Sequence, residues 1–183
     1  MKKKVALFLA DGFEEIEAIG TIDILRRAGV EVTAISLTTY YTVKGANGVK
    51  VDVDAIFDEV DFSEMDMLVL PGGLPGAENL KEHEGVRTVV TEFVRDGKEV
   101  AAICAAPMVL GSLGLLQGRN ATCYPGFESE LIGANVTGAS VVVDENIITG
   151  KGPGLTFEFA LTLVEKLVGA DVRKELTNGL LVG

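Results

Sequence analysis

The sequence predicts an α/β fold, a three-layer sandwich around a mostly parallel central sheet. Three observations carry that expectation. Short apolar runs recur without polar alternation, as strands buried on both faces require. Segments with helical apolar spacing separate them, and brief glycine-containing loops join the two kinds of segment.

Residues 5–10 read as the first buried strand, closed by Asp11-Gly12. Residues 14–28 show helical spacing, with Ile16, Ile19, Ile22, Ile24 and Leu25 as the apolar set and Gly29 as the stop. Residues 30–37 return as a strand, so the first unit is β-α-β, with parallel strands and a right-handed crossover. Residues 38–54 read as a small hairpin around Asn47-Gly48. A buried strand over 66–70 closes at Pro71-Gly72-Gly73. Helical text over about 85–95 precedes a strand that ends at Ile103, and a helix follows over 107–116. A turn at Gly118-Arg119-Asn120 leads to a short strand over 121–123. Residues 136–143 and 146–149 bracket Asp144-Glu145 as an antiparallel pair. A last long helix occupies 155–168, between Gly152-Pro153-Gly154 and Gly169. With no linker, repeat or low-complexity tract, one domain is expected over 1–183.

The chain has 183 residues, 48% of them hydrophobic, which is enough for a sizeable core. Its net charge is -11, from 16 Lys+Arg against 27 Asp+Glu. That balance disfavours nucleic acid and anionic membranes as partners. Lys2-Lys3-Lys4 reads as a solvated amino terminus. The apolar run at 5–10 is too short for a signal peptide or a membrane span, and two cysteines make no disulfide framework, so a reduced, cytoplasmic chain is expected. His83 is the sole histidine, and its charged neighbours suggest a solvated residue.

The sharpest local signal is Cys104. A strand ends at it, small residues follow, and Pro107 suits the first turn of a helix. This elbow presents the thiol at the carboxyl edge of the sheet with a helix amino end behind it, where a thiolate is favoured. A buried cysteine acting as a small hydrophobe is the plainer alternative. Asp11-Gly12 and Gly72-Gly73 end two other strands, so three loops converge on one crevice. In the first helical turn, Glu14 and Glu17 share a face and Glu15 points elsewhere. All three could simply complement the helix dipole. A carboxyl held beside Cys104 would instead be protonated and donate to the thiolate. Backbone N–H groups at Gly72-Gly73 could face a reacting oxygen, or the glycines could merely turn the chain. Tyr124 stands as a polar group at the site's mouth, and Cys123 as structural.

These residues resemble the ThiJ/PfpI superfamily, in the branch of Parkinson disease protein 7 and bacterial YajL. The resemblance rests on Ala10-Asp-Gly-Phe-Glu-Glu-Ile-Glu-Ala18, Asp23 with Arg26-Arg27-Ala28-Gly29, Leu70-Pro-Gly-Gly73, Ala101-Ala-Ile-Cys-Ala-Ala-Pro107, Tyr124-Pro125, and Gly152-Pro-Gly154 followed by Phe157-Glu158-Phe159-Ala160. It implies a flavodoxin-like sandwich with a nucleophile elbow, usually a homodimer. It places the catalytic pair on Cys104 and Glu17 and the oxyanion-type backbone donors on Gly73 and Ala105, with Glu14, Gly72, Tyr124 and Pro153 lining the site. It implies no cofactor and no metal. Arg27 and Lys151 lie near the pocket in the resemblance, as candidates to hold an anion. The human-type branch often has a histidine where this chain has Tyr124, and the protease-like branch has one where it has Ala105. Proteolysis and glutamine hydrolysis, both needing that base, therefore rank low. The activity implied is a glyoxalase or deglycase acting on methylglyoxal, glyoxal or their early glycation adducts through a hemithioacetal on Cys104. An oxidative-stress sensor or chaperone using Cys104 oxidation is the alternative. The thiol is expected to titrate clearly below the free-cysteine value of about 8.5.

Overall fold

The structure, a computed structural model, describes residues 2–182, so the ends of the domain expected over 1–183 lie outside it. In chain order the elements are β1 (Lys4–Leu9), α1 (Glu15–Arg27), β2 (Glu31–Ser36), β3 (Thr42–Lys44), β4 (Lys50–Asp52), β5 (Ala55–Ile56), β6 (Met67–Leu70), α2 (Gly76–Glu82), α3 (Glu84–Arg95), β7 (Glu99–Ile103), α4 (Pro107–Ser112), β8 (Asn120–Ala121), β9 (Asn135–Val136), β10 (Val141–Asp144), β11 (Ile147–Gly150), α5 (Thr156–Val168) and α6 (Ala170–Gly179).

A seven-stranded sheet has the order β10-β11-β7-β6-β1-β2-β5. Its pairs are parallel except the β10–β11 hairpin at one edge. The apolar runs read as buried strands occupy its centre, and β1, β6 and β7 are sealed on both faces. One face packs Val5, Leu7 and Leu9 against Ile24 and Leu25 of α1 and Phe159, Leu163 and Val164 of α5. The other packs Ala6, Phe8 and Leu68 against α2, α3 and α4 through Leu80, Val90, Phe93 and Val109. This is the expected three-layer α/β sandwich. Because β1 lies between β2 and β6, the chain direction of winding reverses there, which opens a crevice at the carboxyl ends of β1 and β6.

Several expectations are corrected. Ile16 and Ile19 do not belong to the buried stripe of α1; they are 58% and 40% exposed, while Glu17, Ala18, Thr21, Ile24 and Leu25 face inward. The run 136–143 is not one strand. Gly138 adopts a positive φ of 70° and divides it into β9, paired with β8, and β10, paired with β11. α4 stops at Ser112 rather than 116, and β8 ends before Cys123. The second and third lysines are not freely solvated: Lys3 Nζ meets Asp66 at 2.8 Å, and Lys4 opens β1 with Nζ 2.6 Å from Glu64. His83 is a helix cap whose Nδ1 accepts the Val86 N–H at 3.2 Å, with its ring 4.7 Å from that of Phe57. Among the described residues, no helix is long and apolar enough to cross a membrane.

Candidate active site

Cys104 lies directly after β7, 8% exposed, with a φ of 65°. That left-handed conformation costs a side-chain-bearing residue roughly 1–2 kcal/mol. It persists because both ends of the residue are tied: its N–H donates to Gly150 O at 2.9 Å, and its carbonyl accepts the Tyr124 N–H at 2.8 Å. The bend leaves the sulfur beside the backbone N–H groups of Ala105 and Gly73, both of which favour its anion. α4 behind it has six residues, too short for the strong axial dipole that the elbow reading invoked. These two N–H groups are the local anion stabilisers, and at rest both serve the sulfur rather than a separate oxygen.

Glu17 reaches the same point from the opposite loop. It is fully buried, and its Oε2 accepts the Gly72 N–H at 2.8 Å. Oε1 meets no nitrogen or oxygen donor, and the Cys104 thiol is the group beside the carboxyl. Gly72 is the spacer between the two. A methyl placed on it would lie 2.6 Å from Cys104 Cβ, 2.7 Å from Glu17 Oε2 and 3.0 Å from Ile103 O. Gly73 has a φ of 88°, and a side chain there would also strike Glu14 N at 2.4 Å and Gly12 O at 2.5 Å. Bare backbone at these positions lets the loops after β1 and β6 touch.

Glu14 is the N-cap of α1: its Oε2 accepts the Glu17 N–H at 2.7 Å, while its own N–H donates to Gly72 O at 2.9 Å. Tyr124 is 45% exposed, and its ring covers Gly152, whose added Cβ would stand 3.1 Å from Tyr124 Cδ2. Pro153 opens a short 3₁₀ turn whose first carbonyl accepts the Thr156 hydroxyl at 2.8 Å. Arg27 and Lys151 are committed elsewhere. Arg27 Nε pairs with Asp23 at 2.6 Å on the exposed end of α1, and Lys151 Nζ donates to Gly138 O at 3.0 Å. Cys123 is buried, and burial pushes its thiol up to about 11, which suits an inert structural role.

Burial pushes the Glu17 carboxyl up to about 7, the nearby Glu14 charge adds to the rise, and hydrogen bonds to Cys104 and Gly72 oppose it. Burial, and then the Glu17 charge, push the Cys104 thiol up to about 12 against the N–H groups of Ala105 and Gly73. The expectation of a thiol titrating clearly below the free-cysteine value is therefore corrected. Two buried acids this close carry one negative charge between them and hold the second proton. The sulfur is anionic when that proton sits on Glu17; the N–H groups of Ala105 and Gly73 favour this arrangement, while the Gly72 N–H on Glu17 favours the carboxylate. Among the described residues, no cluster of three or more His, Cys, Asp or Glu side chains could hold a metal ion.

A family model described as the DJ-1/PfpI family matches residues 3–166. The chain belongs to that family. Protein DJ-1 homolog B of Arabidopsis thaliana is 40% identical over 98% of this chain and 42% of its own length. This chain spans less than half the length of the two Arabidopsis relatives it matches. A Pyrococcus abyssi relative named as a deglycase is 36% identical over 90% of this chain and 99% of its own. The solved structure of oxidized Toxoplasma gondii DJ-1 superposes with a TM-score of 0.94 at 37% identity, covering 98% of both chains. This chain carries its candidate site where β1, β6 and β7 end.

The sequence reading missed the long-range contact that Glu15 makes. Its carboxylate is buried under the β3–β4 hairpin and bonded to Asn47, 32 residues away. The only local hint was a third glutamate in a turn where the helix dipole needs fewer.

Proposed function

We propose that this chain is a cofactor-independent, cysteine-dependent glyoxalase or deglycase acting on small reactive carbonyls or their early glycation adducts. The observation that carries the reading is the buried Cys104–Glu17 pair, with Gly72 as its spacer. The deglycase name of the Pyrococcus relative supports it. The thiolate attacks the aldehyde carbon of methylglyoxal, and the oxyanion takes the Glu17 proton to give a hemithioacetal. Glu17 then removes the proton from that carbon and returns one to the neighbouring carbon, while the hydroxyl proton passes to the neighbouring carbonyl oxygen. The adduct thereby becomes a lactoyl thioester with no net oxidation. Water cleaves the thioester, releasing lactate and regenerating the thiol. During attack, the N–H groups of Gly73 and Ala105 transfer from sulfur to the developing oxyanion. Glu14, Gly72, Tyr124 and Pro153 shape the pocket around this step.

Purified protein with methylglyoxal is expected to release lactate catalytically, and Cys104→Ser to stop it. A single stoichiometric adduct with no lactate would overturn the proposal. It would favour the second reading, a stress sensor or chaperone working through Cys104 oxidation, which the oxidized Toxoplasma structure supports.

A second copy of the chain is the proposed protein partner, with the cytoplasm as the setting. Ile16 and Ile19 support this, as apolar side chains exposed on α1. Light scattering should give a dimer mass for the wild type and a monomer mass for Ile16→Glu. A wild-type monomer at tens of micromolar would remove the partner.

A further inference from the structure

We propose that Glu15 and Asn47 form a latch through which the β3–β4 hairpin positions the Glu17 carboxyl against Cys104. This deepens the reading above and rests on the proton-sharing pair. Glu15 is 8% exposed. Its Oε1 accepts the Asn47 N–H at 2.7 Å and the Val49 N–H at 3.4 Å, and its Oε2 accepts from Asn47 Nδ2 at 2.9 Å. Gly45 wraps so closely that an added Cβ would stand 2.5 Å from the Glu15 carboxyl carbon. Burial by itself would raise the Glu15 pKa, but the Asn47 and Val49 donors reverse that and hold it below the usual carboxylate range. The latch is thus a stable carboxylate at neutral pH.

Three further bonds join the hairpin to the segment entering α1. Gly12 N–H donates to Lys44 O at 2.7 Å, Lys44 N–H to Asp11 Oδ1 at 2.9 Å, and Ala46 N–H to Phe13 O at 2.8 Å. That segment runs directly into α1, which begins at Glu15 of the latch and carries Glu17 in its first turn. The hairpin lies outside the main sheet, and its strands have three residues each, too few to stand alone. Val43, packed into the core, already provides the apolar anchoring such a hairpin needs. A buried carboxylate with directional bonds adds position rather than adhesion. The titratable groups bearing on Glu17 are Cys104 and Glu14, and the latch fixes Glu17's distance from the former. The three glutamates of this turn divide the work: Glu14 caps the helix, Glu15 anchors it, and Glu17 meets the sulfur. Glu15 and Asn47 are positioning residues.

The test is the pH dependence of Cys104 alkylation by iodoacetamide, read by mass spectrometry on the whole chain. Asn47→Asp sets a second carboxylate against Glu15. The expected result is a shift of the inflection from the high value that burial and the Glu17 charge impose down toward the free value of about 8.5, with alkylation at neutral pH quickened about tenfold. Adding Glu15→Gln lets the new amide donate to the new carboxylate, with one hydrogen bond reversed, and should restore the wild-type profile. Asn47→Ala deletes only the Nδ2 contact and should shift the inflection less, with the same sign. The proposal is overturned if folded Asn47→Asp or Asn47→Ala keeps the wild-type profile, or if the double variant melts normally yet stays shifted. Alkylation needs no turnover, so absence of lactate would sink the proposed function and leave the latch to be judged separately.

Discussion

Glu17→Gln is expected to raise the melting temperature while removing turnover. The native carboxyl is pushed from 4.5 to about 7, chiefly by burial. Between those values the folded chain binds a proton that the unfolded chain releases. Its stability is therefore greatest below pH 4.5 and falls as pH rises toward 7. At 1.36 kcal/mol per unit, the loss above pH 7 is about 3 kcal/mol. An amide has no charge to desolvate, and its oxygen can still accept the Gly72 N–H. For a chain of this size, the gain should be roughly 5–10 °C at pH 8, vanishing near pH 4.5. Lactate production should drop about 100-fold or more, because the amide moves no proton. Paired thermal scans at the two pH values, with a lactate assay, check both halves. An unchanged or lower melting temperature at pH 8 would mean that the carboxyl is not held as described.

Gly72→Ala is the second large effect, and it works through space. Its methyl would lie 2.6 Å from Cys104 Cβ and 2.7 Å from Glu17 Oε2, distances that force the two apart. The third contact, at 3.0 Å, is the Ile103 carbonyl, which belongs to the end of β7 and cannot swing aside. Overpacking of this kind costs about 1–3 kcal/mol. The separation itself should lower turnover about 100-fold and bring the alkylation inflection back toward about 8.5. Gly154→Ala is the control, because an added Cβ there meets nothing within 4 Å. If Gly72→Ala retains wild-type alkylation and turnover, the pair does not depend on its spacing.

Much of this site was legible in the residues because its signals are local. A strand ending at Cys104 and a proline at the start of α4 announce an elbow without any long-range contact. The apolar runs of β1, β6 and β7 announce a doubly covered sheet in the same way. What escaped depends on distance or on which of two faces wins. Ile16 and Ile19 satisfy helical spacing as well as Ile24 does, yet Glu17 and Thr21 take the inward stripe. α6 has no fully buried residue, so its apolar pattern is weak, and α2 is only seven residues long. Histidine is not among the usual helix caps, so the part His83 plays came from coordinates alone. The Glu15–Asn47 contact spans 32 residues and has no periodicity to betray it.

Oε1 of Glu17, sealed from water without a nitrogen or oxygen partner, has a practical consequence. A library ranked only by heat resistance would promote neutral replacements at this position and so discard the carboxyl on which the proposed mechanism depends. Read in reverse, such a ranking charts the reacting groups of the protein before any substrate is known.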